Sequence, residues 1–205
     1  MAAPEYPWPE WFTPAEMRDE AEVFLREFWP AGSVPVNIER IVDAAAGLDV
    51  VTAPGIFRAY GIDGFLSDDM KSIYVDDALS NGTTLHRFRF TLAHEVAHWY
   101  LHAPLYEAAA YRSAEEFLAF RRRLSAKDLA AYEWQANQFA GLILAPPKAL
   151  AQKVEEAIAV AYDRGFDAID LTDPMHRDFL AEWVGRRLEV SAQVVIRRGT
   201  DDSLW

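Results

Sequence analysis

Three of the chain's five histidines fall at four-residue intervals in one stretch, Thr91–His102, which reads TLAHEVAHWYLH. On an extended strand His94 and His98 would stand about 13 Å apart. On an α-helix they lie one turn apart on the same face, where both imidazoles reach one metal ion. The spacing therefore predicts a helix, and with it a specific chemistry. Glu95, one residue past His94, is rotated by about 100° and points beside the pair. It is poorly placed to ligate but well placed to take a proton from a metal-activated water. This is the H-E-x-x-H arrangement. The chain's composition yields roughly 0.01 chance matches to it, so histidines that merely line a helix face are the weaker reading.

His102 extends the series but lies about 12 Å along the axis from His94, too far to share an ion with it. The longer zincin motif needs a glycine turn after its second histidine, and WYLHAP has none. His102 is read as structural, or as support behind a ligand. The chain has no cysteine, so the metal must be held by nitrogen and oxygen, and a third ligand must come from elsewhere.

The segment AKDLAAYEWQANQFAGLILAPP offers it. Leu129, Tyr132, Ala136, Phe139, Ala140 and Ile143 form an apolar helical stripe, and Glu133 sits on it. A carboxylate on a buried face needs a cation or hydrogen bonds to offset desolvation. A metal held by two neutral imidazoles is one such cation, and His₂Glu with an open water position is a catalytic zinc set. An arginine from FRRRLS is the other. Asn137, one turn on, could bond the free ring nitrogen of a ligating histidine, or act only in the helix.

The remaining pattern is helices, then strands, then helices. Thr13, Pro14 and Glu16 read as a capping box opening a helix with the stripe Met17, Ala21, Phe24, Leu25 and Phe28. Trp8, Trp11 and Phe12 before it are expected to fold back onto the core. A second short helix runs from the Asn37 cap to Gly47. LDVVTA, GIDGFLS and KSIYVDD read as three short strands of an antiparallel sheet, KSIYVDD being either an exposed edge open to an extended peptide or a covered strand. Beyond Thr84 helices are predicted over about 85–102, 114–123, 126–144, 147–164 and 174–188, with a last one after Ser191. The class is α+β and mainly helical. Three parts are expected: 1–36 as an N-terminal helix and arm, 37–147 as the metal-bearing core, and 148–205 as helices packed on the same domain.

A formal net charge of −12 repels phosphate, so direct nucleic-acid binding is disfavoured. The C-terminal segment is the one counter-signal. Its helix, turn and Ser191-capped helix resemble a helix-turn-helix, with Arg186, Arg187, Arg197 and Arg198 supplying local positive charge. No apolar run approaches membrane-spanning length, and the N-terminus does not read as a secretory signal. A cytoplasmic protein is expected.

Two blocks carry a resemblance to a family. HRFRFTLAHEVAHWYLH is similar to the R-F-T-x-A-H-E-x-x-H block of the ImmA/IrrE metallo-endopeptidases, and YEWQANQFAGLILAPP to their E-x-x-A-N-x-F-A-x-x-L-L-x-P block. GIDGFLSDDMKSIYVDD resembles the hairpin that precedes them, so the likeness spans roughly residues 37–147. It implies a zincin-like fold, Zn²⁺ on His94, His98 and Glu133, and Glu95 as base. It further implies a cytoplasmic protease that cuts a helix-turn-helix repressor in a stress or mobile-element switch. Ala145 stands where the family usually has methionine. Two other functions compete: a metal-containing regulator that sequesters a repressor without cutting it, and a DNA-binding regulator using the C-terminal helices. Tyr106, Tyr111, Arg112 and His176 are all open as oxyanion partners.

Overall fold

The computed structural model describes residues 10–79, 85–166 and 168–205. Helix α1, Pro14–Phe28, opens with the predicted capping box: the Thr13 amide donates to Glu16 Oε2 at 2.7 Å, and the Glu16 amide to Thr13 Oγ1 at 3.3 Å. Its Met17, Ala21 and Phe24 are buried. The arm before it behaves differently from expectation. Phe12 packs on the core, but Trp11 is 58% exposed beneath the Lys127 ammonium, and Trp8 lies outside the described residues.

Helix α2, Ile38–Arg40, is capped by the Asn37 side chain and continues as a single π-turn over Ile41–Ala45. Strand β1, Asp49–Ala53, leads into a five-residue helix α3, Ile56–Tyr60, then β2, Gly64–Leu66, and β3, Ser72–Asp76. The sheet order is β1-β3-β2, with β1 parallel and β2 antiparallel to β3. The expected all-antiparallel sheet is therefore corrected to a mixed one. The cause is α3, bounded by Gly55 and Gly61 in left-handed backbone at φ +72° and +71°. It carries the chain past the position next to β1, and the β2–β3 hairpin then folds β3 back into that place. β3 is thus the central strand, so KSIYVDD is not an edge; β1 and β2 are.

The other helices are α4, Leu85–Leu101; α5, Ala103–Glu107; α6, Ala114–Arg121; α7, Ala126–Leu144; α8, Pro147–Asp163; α9, Pro174–Leu188; and α10, Ala192–Asp201. The fold is mainly helical with one small sheet. One hydrophobic core runs through it, drawing Phe24 from α1, Ile73 from β3, Val96 from α4, Phe139 from α7, Leu150 from α8 and Val195 from α10.

Helices α4 and α7 form the central pair, and α4 is fixed at both flanks. Arg89, 3% exposed, pairs with Glu39 at 2.8 Å and Glu189 at 3.2 Å and donates to the Val36 carbonyl. On its other side β2 lies against α4, where a Cβ on Gly64 would stand 3.0 Å from the Thr91 methyl, and it would also stand 2.5 Å from the Tyr74 carbonyl oxygen of β3. Only glycine permits that approach. The turn of α4 that carries His94 and Glu95 is thereby held beside a strand edge. Among the described residues no helix is long and apolar enough to cross a membrane.

Candidate metal centre

His94 and His98 project from successive turns of α4, and Glu133 reaches them from α7. His94 Nε2 lies 3.2 Å from His98 Nε2 and 3.5 Å from Glu133 Oε2; His98 Nε2 lies 3.8 Å from Glu133 Oε1. Donors placed tetrahedrally at zinc–ligand bond lengths are about 3.3 Å apart. With one ligand atom taken from each residue, the three lie within 4.8 Å of one another, a cluster that could hold one divalent ion. Burial opposes charge on Glu133, but its hydrogen bond with His94 and the nearby Arg121 outweigh it and hold the carboxyl below its usual range, as an anionic ligand requires. Burial drives His98 well below the usual imidazole range, keeping its lone pair free.

Behind His98 runs a buried chain of hydrogen bonds. His98 Nδ1 meets His102 Nδ1 at 2.9 Å, and His102 Nε2 meets Gln135 Oε1 at 2.8 Å. The amide oxygen can only accept, so His102 carries its proton on Nε2 and presents a lone pair at Nδ1. His98 must then donate from Nδ1, which turns its Nε2 lone pair toward the metal position. Gln135, fully buried on α7, completes the chain by donating to the Glu10 carbonyl at 2.6 Å. Burial pushes His102 down to about 4, so the chain stays neutral. His102 follows the end of α4, and its ring supports a ligand rather than joining the set.

Asn137 sits elsewhere in this picture. Its amide nitrogen donates to the Glu133 carbonyl at 2.8 Å, within α7, and its side chain lines the cleft. The ring-nitrogen partner foreseen for it is supplied by His102 instead. Gln135 was passed over in the sequence although a signal existed: it lies on the buried stripe, three residues after Tyr132 and four before Phe139.

Glu95 is 4% exposed, and its Oε2 accepts from the Leu66 amide at 2.9 Å. Burial pushes its carboxyl up to about 7, against the opposing pull of His94. A proton acceptor tuned to this range is suited to general base–acid work near neutrality. The Tyr111 hydroxyl donates to the Leu66 carbonyl, so both outward backbone groups of Leu66 are engaged. Asp63 and Ser67 bond across to β3, and the alternation of an antiparallel pair leaves Gly64 facing outward as well. Gly64 lines the cleft of about 240 Å³ with His94, Glu95, Glu133 and Arg121.

Arg121 was not foreseen as a cleft residue. Its Nη2 lies 3.0 Å from Glu133 Oε1, so the arginine partner and the metal-ligand geometry for Glu133 coexist. Of the four open oxyanion partners, Tyr106 packs its ring against His98 at 5.6 Å, and Tyr111 is committed to Leu66. Arg112 has its backbone amide on Glu116, and His176 bonds the Asp170 amide at 3.0 Å at the start of α9. None of the four lines the cleft.

A helix bearing two histidines and a buried glutamate, crossed by a second helix that supplies a carboxylate, makes a cluster that could hold a divalent metal. The comparison with known families agrees. Residues 45–199 match the peptidase M78 family, described as the IrrE N-terminal-like domain, and the chain belongs to that family. No curated protein matches. Among solved structures, a Mycobacterium tuberculosis transcriptional regulator is similar at 18% identity, with a TM-score of 0.51 over 91% of this chain and 51% of that one. This chain spans about half the length of that regulator, and the likeness is one of fold.

Proposed function

We propose that this protein is a zinc-dependent endopeptidase whose substrate is a helix-turn-helix transcriptional repressor, cut in the cytoplasm as a stress or mobile-element switch. The observation that carries the reading is the convergence of His94, His98 and Glu133 beside a buried Glu95 and an outward-facing strand edge. Zinc, when bound there, supplies Lewis acidity at the open position. An extended substrate pairs through its main chain with the outward groups of β2 at Gly64, antiparallel to the strand. Glu95 takes a proton from the attacking water and delivers it to the leaving amine nitrogen. Arg121, the arginine lining the cleft, faces the negative charge that develops on the scissile carbonyl oxygen.

Two features favour this over the competing functions. A sequestering protein gains nothing from a desolvated carboxyl at Glu95, whose burial opposes its ionisation. A DNA reader needs its C-terminal arginines free. Arg198 is instead 3% exposed and paired with Asp202 at 2.6 Å, while Arg187 stacks on the Trp183 ring. The test is co-expression of wild type or Glu95→Gln with a helix-turn-helix protein encoded beside this gene. A truncated product is expected only with wild type, while Glu95→Gln still binds zinc. Equal truncation by the mutant refutes the base assignment.

A further inference from the structure

A second cavity, about 580 Å³, opens between the start of α4, the later half of α7 and α10. It falls in the size range of ligand pockets. Phe90 and Asn137 line both this cavity and the cleft at His94 and Glu133, so the two are immediate neighbours.

The charges along the cavity are not equivalent. Arg87 is balanced by Asp63 in a bidentate pair. Arg198, in the floor, is balanced by Asp202 and packs its stem against Gly141, where any Cβ would stand 3.0 Å from Arg198 Cδ. Arg197 is held otherwise. With the Gln138 amide turned so that its oxygen faces a donor, that oxygen accepts from Arg197 Nη2 at 3.0 Å and its nitrogen donates to Asp201 at 3.2 Å. Among the described residues no carboxylate lies within ion-pair distance of Arg197. Arg197 is exposed, so its unmatched guanidinium at the side of this cavity is free to meet an anion, in a chain of net charge −12.

The distance from the metal centre says which anion. Phe90 and Asn137, at the near end, lie one turn from His94 and Glu133, whereas Arg87 and Gly141 lie two turns away, so the far part of the cavity stands about 10–12 Å along the helices from the ligands. An extended peptide advances about 3.3 Å per residue and spans that gap in three or four residues. We propose that the cavity is a substrate subsite for an acidic side chain three or four residues from the scissile bond, with Arg197 as the residue that selects it. This deepens the endopeptidase reading and rests on it.

Zinc-loaded wild type, Arg197→Gln and Arg197→Glu are incubated with a library of peptides from a digested proteome, and the cut sites are read by mass spectrometry. Wild type should show Asp or Glu enriched about two- to fivefold at the third or fourth position on one side of the cut, the range expected of a partly exposed ion pair. Arg197→Gln should erase the enrichment, and Arg197→Glu should turn it toward Lys. Cuts with no acidic preference, or a preference that survives both variants, overturn the subsite. Absence of any cut counts against the endopeptidase reading instead, and a binding arm then decides the subsite. In ¹⁵N-labelled wild type, a blocked tetra-aspartate peptide should shift the Arg197 Nε and Gln193 amide signals, and a tetra-lysine peptide should not. No shift overturns the proposal, as does equal saturation by inorganic phosphate alone, which would mean a site for free anions.

Discussion

Replacing Gln135 by leucine tests the hydrogen-bond chain that orients His98. The two side chains are close in size, so the change removes polarity without opening a large cavity. His102 Nε2–H, 2.8 Å from the Gln135 oxygen in wild type, would be left buried without an acceptor. That costs about 1–3 kcal/mol of stability. Moving the proton to His102 Nδ1 does not rescue it, because two N–H groups would then face each other across the 2.9 Å to His98. Either outcome loosens the ring that presents Nε2 to the metal. Loss of such a supporting partner typically lowers metal affinity about 10–100-fold, equivalent to about 1.4–2.7 kcal/mol. Zinc affinity is measured by competition with a chromogenic chelator, and stability by urea unfolding of the metal-free protein. Gln135→Glu keeps the acceptor for His102 but sets an oxygen against the Glu10 carbonyl, so it should lose stability while retaining zinc affinity near wild type. If Gln135→Leu binds zinc as tightly as wild type and unfolds at the same urea concentration, the chain does not orient the ligand.

Two further outcomes follow from the site's surroundings. Gly64→Ala should destabilise the protein by about 1–3 kcal/mol through the clash with the Tyr74 carbonyl, and should depress peptide cleavage because β2 must move from Glu95; unchanged urea unfolding and cleavage would contradict the close approach. In metal-free protein, Glu95 holds its proton up to about 7 when folded but releases it near its ordinary 4.5 when unfolded. The native state therefore binds more protons across that window, and stability should fall as pH rises from about 4.5 through 7. Glu95→Gln removes this contribution, so its urea midpoint should decline less between pH 5 and pH 8; parallel profiles would show that the buried carboxyl does not titrate as described.

Much of the site was legible because helical periodicity is local information. The four-residue spacing of His94 and His98 predicts a shared face, and the place of Glu133 on an apolar stripe predicts that it turns inward toward a compensating charge. Helix starts at Thr13, Asn37 and Ser191 follow from residues whose side chains cap their own backbone. The sheet was less legible. Short strands carry no record of which neighbour they meet, and the five-residue α3 that decides β3's place is too brief to leave a periodic signal. Trp11 was misjudged for a related reason: an aromatic side chain does not by itself say whether burial or a covering Lys127 awaits it.

Taken alone, the amino-acid order determined the helix that bears the histidines, the acidic residue that turns toward them, and the absence of any thiolate ligand. Each follows from chemistry within a turn or two of the residue concerned. The crossing of α4 and α7 decided the rest. It set the distances among the donors, made Gln135 the acceptor for His102, allowed Arg121 and the histidines to share Glu133, and set the cleft beside the cavity that Arg197 lines. Those outcomes depend on contacts between residues far apart in the chain, where only the packing of one helix against another determines which polar groups meet.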